Sequence, residues 1–168
     1  SALVAFMEFA NPENSSTLVT VLGLVIGSIA FSGSIIAYAK LDGKTGDWIN
    51  PVLTWINLFI LVLLIGTTAY LSLSNNQAID ALYVFYGLFA VSLIYGVLFV
   101  MPIGGADMPV VISLLNSLTG IAAAMAGFIY SNQAMILGGI LVGAAGTILK
   151  LLMCRAMNRS LINVIIGA

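Results

Sequence analysis

Charge is nearly absent from five long stretches of this chain, and that scarcity constrains its fold more than any motif does. Residues 17–40, 51–73, 78–102, 109–130 and 134–156 are predominantly apolar, each longer than the roughly 17 residues that a helix needs to cross a bilayer. The breaks between them carry turn chemistry: Leu41 to Asp47, Ser74 to Gln77, Ile103 to Asp107 and Ser131 to Gln133. Apolar residues make up 61% of the chain and charged ones 7%, against about 25% charged in a soluble domain. No soluble surface can be built from that material. The expected fold is an all-α membrane bundle of about five transmembrane helices, joined by short loops that make consecutive helices antiparallel neighbours.

The same composition excludes several classes of function. There is no histidine, so no side chain has an unperturbed pKa near neutrality. The single cysteine, Cys154, rules out an intrachain disulfide. No basic surface is available for nucleic acid, and no strand, G-x-G-x-x-G turn and helix follow one another as a dinucleotide site requires. Residues 1–16 hold Glu8, Pro12 and Glu13 without a positively charged start, so they do not read as a signal peptide. They are expected to be an extracytoplasmic segment, and the opening Ser1 leads us to expect a fragment or a processed product.

Orientation follows from the positive charges. Lys40 and Lys44 follow the first span, while Lys150, Arg155 and Arg159 lie at or beyond the end of the fifth. An odd number of spans puts all five on one side, which the positive-inside rule makes cytoplasmic. The Gly104–Asp107 loop falls on that side too, with Glu8, Glu13 and Asp80 opposite.

Helix faces carry the rest of the pattern. Gly23, Gly27, Ala30 and Ser34 form a small-residue stripe on the first span, and Gly139, Gly143, Gly146 and Lys150 repeat its spacing on the fifth. Such stripes let helix backbones approach closely where lipid supplies no hydrophobic drive for association. Lys150 reads two ways, pointing into the bundle with the glycines or snorkelling outward. In the fourth span Ser113, Asn116, Ser117, Gly120, Ala124 and Gly127 share a face, behind Asp107 as a candidate N-cap and Pro109 in the first turn. Asn116 lies nine residues beyond Asp107, roughly 13 Å along a helix and near the middle of the hydrocarbon layer. An amide at that depth is either interhelical glue or part of a polar path.

The run Gly104-Gly105-Ala106-Asp107-Met108-Pro109-Val110-Val111-Ile112-Ser113-Leu114-Leu115-Asn116-Ser117 resembles the membrane domain of proton-translocating NAD(P) transhydrogenase, on its beta subunit. Phe31-Ser32-Gly33-Ser34-Ile35-Ile36-Ala37-Tyr38-Ala39-Lys40-Leu41 is similar to the family's glycine-serine helix, with Gly33 among its packing residues. Met153-Cys154-Arg155-Ala156-Met157-Asn158-Arg159-Ser160 resembles the end of its last span. The three motifs stand in family order.

The resemblance implies a proton-conducting domain in the cell inner membrane, coupled to hydride transfer between NAD(H) and NADP(H) in soluble domains outside this chain. No cofactor or metal is then bound here; NAD and NADP belong to the complete enzyme. The implied partners are the alpha subunit with its membrane helices, the NADP(H)-binding domain of the same subunit, reached through the cytoplasmic tail 157–168, the lipid bilayer, and a second complete unit in a homodimer. Asn116 and Ser34 match residues of the family's proton pathway, which Ser113 and Ser117 adjoin. Asp107, Arg155 and Arg159 match charged residues near the NADP(H) domain. Lys150, grouped with them, stands where relatives are expected to carry a small polar residue. An amide and hydroxyls order water but cannot hold an excess proton near pH 7, so the titrating group, an intramembrane histidine in the family, is expected on another helix. A small channel or secondary-transporter subunit and a structural assembly subunit are the alternatives. The first calls for a helix broken near the midplane, whereas Pro109 lies at a helix start.

Overall fold

Apolar runs inside a bilayer must satisfy their own backbone hydrogen bonds, and helices do so within one segment. The computed structural model describes residues 2–10, 17–43, 46, 51–73 and 79–158. Among these residues the regular structure is entirely helical: α1 Ala2–Ala10, α2 Thr17–Leu41, α3 Pro51–Leu73, α4 Ile79–Val100, a 3-10 turn at Gly105–Asp107, α5 Met108–Ile129 and α6 Gln133–Ala156. Leu18–Leu41, Tyr83–Val100, Gly105–Ile129 and Gln133–Ala156 are long and apolar enough to cross a membrane, and Trp55–Leu71 of α3 is a shorter apolar helix. Helix α1 was not foreseen; it packs on α2 and α5. Glu13, Lys44 and Arg159 lie outside the described residues, as does the Asp80 side chain.

The ends have local causes. Gly43 has φ +71°, a conformation that glycine adopts without strain, and its N–H donates to Lys40 O at 3.1 Å as α2 closes. Asn132 caps α6, its Oδ1 accepting from the N–H groups of Ala134 at 3.0 Å and Met135 at 3.2 Å. Pro109 occupies the first turn of α5 as expected. Asp107 stands at the N-cap position but makes no side-chain capping bond. Its φ −93° and ψ −1° differ from the extended backbone of a capping residue, because the 3-10 turn runs directly into α5.

Helix α2 is the hub of the bundle, touching α1, α3, α4 and α5. Helices α4 and α5 are consecutive, yet each packs on α2 rather than principally on the other, while α6 packs on α5. Two backbone-to-backbone seams hold this arrangement. Across α5 and α6, a Cβ added at Gly120 would lie 2.5 Å from Gly143 N, and one at Gly139 would overlap Ala124 N and sit 2.7 Å from Gly120 O. A Cβ at Gly146 would meet Ser117 at 3.0 Å. Across α2 and α4, a Cβ at Gly96 would overlap the Ser32 hydroxyl and lie 2.7 Å from Ile29 O. The glycine face of α6 makes this close contact, whereas Gly96 on α4 stands nine residues from Gly87, outside any glycine stripe.

The seams generate a paired test. Gly139→Ala and Gly96→Ala push backbones apart and should each cost about 1–3 kcal/mol, the usual penalty of overpacking. At Gly138 and Gly87 an added Cβ meets nothing within 4 Å, so the same substitution there should leave stability unchanged. Denaturation of the four variants in detergent checks the contrast; equal losses within each pair would contradict the seams.

Candidate functional site

Successive residues of a helix are about 100° apart, so a stripe drawn through positions i, i+3 and i+4 is about 100° wide. A glycine seam is narrower than that, and the polar stripe of α5 divides. Ser113 and Ser117 are buried against α6. Ser113 Oγ donates to Gly146 O at 2.9 Å and Ser117 Oγ to Gly143 O at 2.8 Å, with Ser117 Oγ also 2.9 Å from Thr147 Oγ1. Thr147 Oγ1 donates to the same Gly143 carbonyl at 2.9 Å. Gly120, Ala124 and Gly127 continue this buried face. Asn116 does not belong to it. Its side chain is exposed within this chain and turns toward α2.

On that side lies an open groove. Two cavities of about 690 and 630 Å3 lie side by side, both bordered by Ser34, Tyr38 and Thr119. The larger reaches Ala2 and Leu3 of α1, and the smaller reaches Asn116, Pro109 and Met153. The α2 stripe serves this groove more than it serves a seam: Gly27, Ala30 and Ser34 line it, while Gly23 faces Met125 of α5 at ordinary contact distance. Gly33 faces elsewhere, toward Leu115 and Val100. Small residues make room, and one helix does not decide whether a neighbour's backbone fills it.

The groove's polar groups differ in what they can offer. Ser34 Oγ donates to Ala30 O at 2.6 Å and Thr119 Oγ1 to Leu115 O at 2.9 Å, so each hydroxyl hydrogen is committed and the oxygens remain as acceptors. The Asn116 carboxamide both donates and accepts. Together they can orient water along an otherwise apolar wall. Nothing in the sequence singles out Tyr38, whereas Ile112, Asn116 and Thr119 follow an i, i+4, i+7 spacing that places them on one face.

Asp107 is 8% exposed, Arg155 is exposed and Lys150 half-buried on α6. Arg159 lies outside the described residues. Lys40 is turned inward, its Nζ donating to Met101 O at 2.6 Å and Ile103 O at 2.7 Å. Among the described residues there is no group of three or more His, Cys, Asp or Glu side chains that could hold a metal ion.

The family model described as NAD(P) transhydrogenase beta subunit matches residues 1–168. Two relatives named NAD(P) transhydrogenase subunit beta, from Rhodospirillum rubrum and from a designated strain of it, are each 39% identical over 178 residues, covering 99% of this chain. The chain spans 38% of the length of those relatives. By the match along its whole length and the identity to these relatives, the chain belongs to the family of NAD(P) transhydrogenase beta subunits.

Proposed function

We propose that this chain is the proton-conducting membrane domain of an NAD(P) transhydrogenase, coupling proton movement to hydride transfer between NAD(H) and NADP(H) in soluble domains outside it. Family membership favours this reading and leaves the channel, transporter and assembly alternatives without support. The observation that carries the mechanism is the division of the α5 stripe. Ser113, which also borders the groove, and Ser117 spend their hydroxyls on α6 carbonyls, whereas Asn116 turns its carboxamide to the groove that Ser34 and Thr119 share. The proton route is assigned to that groove, with Asn116 ordering water and Ser34 and Thr119 accepting from it.

None of these groups holds an excess proton near neutral pH, so the titrating group comes from another helix of the complete enzyme, one covering the open groove. The alpha subunit and a second complete unit are the proposed membrane partners, and the NADP(H) domain the soluble one. The membrane is the cell inner membrane, with Lys40, Lys44, Arg155 and Arg159 toward the cytoplasm. Asp107, Lys150, Arg155 and Arg159 then lie at the end that meets the NADP(H) domain.

Proton movement and hydride transfer, measured in parallel on the complete enzyme in vesicles, test the route. Asn116→Ala should lower both by roughly tenfold or more, equivalent to about 1.4 kcal/mol of barrier. Ser117→Ala should leave both within about twofold and instead cost roughly 0.6 kcal/mol of stability, the mean worth of an interhelical hydrogen bond in a membrane protein. If Asn116→Ala changes neither activity, the carboxamide has no part in the route. Arg155→Ala and Arg159→Ala should change NADP(H) release; unaltered release and coupling would remove these arginines from the domain contact.

A further inference from the structure

The apolar run of the third span continues to Pro102, yet α4 stops at Val100. Pro102 has no N–H to return to Leu98 O four residues earlier, and the residue before a proline is biased away from the α region. Leu98 O is taken instead by Asn57 of α3, whose Nδ2 donates to it at 3.0 Å. The reversed amide would set oxygen against oxygen, so the contact fixes which end of the carboxamide faces α4. Past the proline, the N–H of Ile103 reaches back only to Val100 O, at 3.3 Å. The carbonyls of Met101 and Ile103 both accept from the Lys40 ammonium at the end of α2. Lys40 is only 9% exposed, and fully buried Val100, Ile103 and Met108 pack in the apolar cluster at this end of the bundle.

Side chains from two other helices thus satisfy three carbonyls at the break in α4, where a helix end also favours a cation. The segment they hold, 101–107, leads directly into α5 and so toward Asn116. On α2, Tyr38 and Leu41 flank Lys40 in sequence and wall the groove beside Asn116 and Pro109. Any shift of the 101–107 segment against α2 must therefore stretch the Lys40 contacts and alter the groove together.

We infer that Lys40 and Asn57 are positioning residues for proton coupling, clamping the Pro102 break so that α5 enters the bundle at the depth and angle that shape the groove. This rests on the groove being the proton route, which the Asn116→Ala measurement tests separately.

Distances are read in the complete enzyme with spin labels at Leu41→Cys and Gly105→Cys, both exposed positions, with buried Cys154 left in place, and coupling is read in the same variants without labels, because Leu41 walls the groove. Lys40→Met and Asn57→Ala are compared with Lys40→Arg, which retains cationic donors. The expected result is a broadened label distance in K40M and N57A, with proton movement per hydride transferred falling roughly two- to thirtyfold, the range of known coupling mutations. K40R should restore a narrow distance and most of the coupling. An unchanged distance in both K40M and N57A overturns the clamp, whatever the activity. A broadened distance with intact coupling overturns its part in proton movement. If K40M fails to assemble, N57A against K40R decides the question by the same two readings.

Discussion

A polar group inside an apolar layer must find a partner, and much of this bundle's polar chemistry answers that demand. Ser28, Ser32, Ser34, Ser92 and Thr119 each return a hydroxyl hydrogen to a carbonyl of their own helix. Ser113 and Ser117 cross to carbonyls of α6. Where Pro102 interrupts the ladder, Asn57 and Lys40 supply the donors that the chain cannot. Without water, an unsatisfied group of this kind costs several kcal/mol, more than a typical interhelical hydrogen bond returns. Avoiding that loss is what places the polar residues.

Against this background Asn116 stands out by its position. The hydroxyls nearest to it in sequence are committed to carbonyls, but its carboxamide faces a groove walled by α2, α5 and the last turns of α6. The two kinds of helix contact explain how such a space persists. On one side of α5, glycines bring α6 to backbone distance; on the other, Gly27 and Ala30 of α2 border an open gap. One helix therefore carries a rigid seam and an open wall on faces about 100° apart.

The helices were legible because apolar length and turn residues are local properties. The five apolar runs coincide with α2 to α6 to within two residues at each end, and the α6 glycine face is legible because three residues repeat its spacing. What escaped depends on pairs of elements. Gly96 gives no periodic signal, since its importance comes from Ile29 and Ser32 on another helix. Lys40 reads as a boundary charge until Pro102 is seen to free carbonyls beside it. Spacing alone makes the α5 stripe too wide, because it does not say how much of a face the neighbouring helix covers. Residue type suggests a cap at Asp107, whereas the 3-10 turn before α5 sets a backbone that does not use its carboxylate for that purpose.

The seam between α5 and α6 also limits how this protein can change over time. In most packed cores a bulky replacement can be offset by trimming the residue opposite. Here Gly120 faces Gly143, and Gly139 faces the backbone of Gly120 and Ala124, so the opposite side has nothing left to remove. A lineage that acquires a side chain at these positions has no local second-site change with which to recover the old spacing; reversion, or a redrawn helix pair, is the only way back.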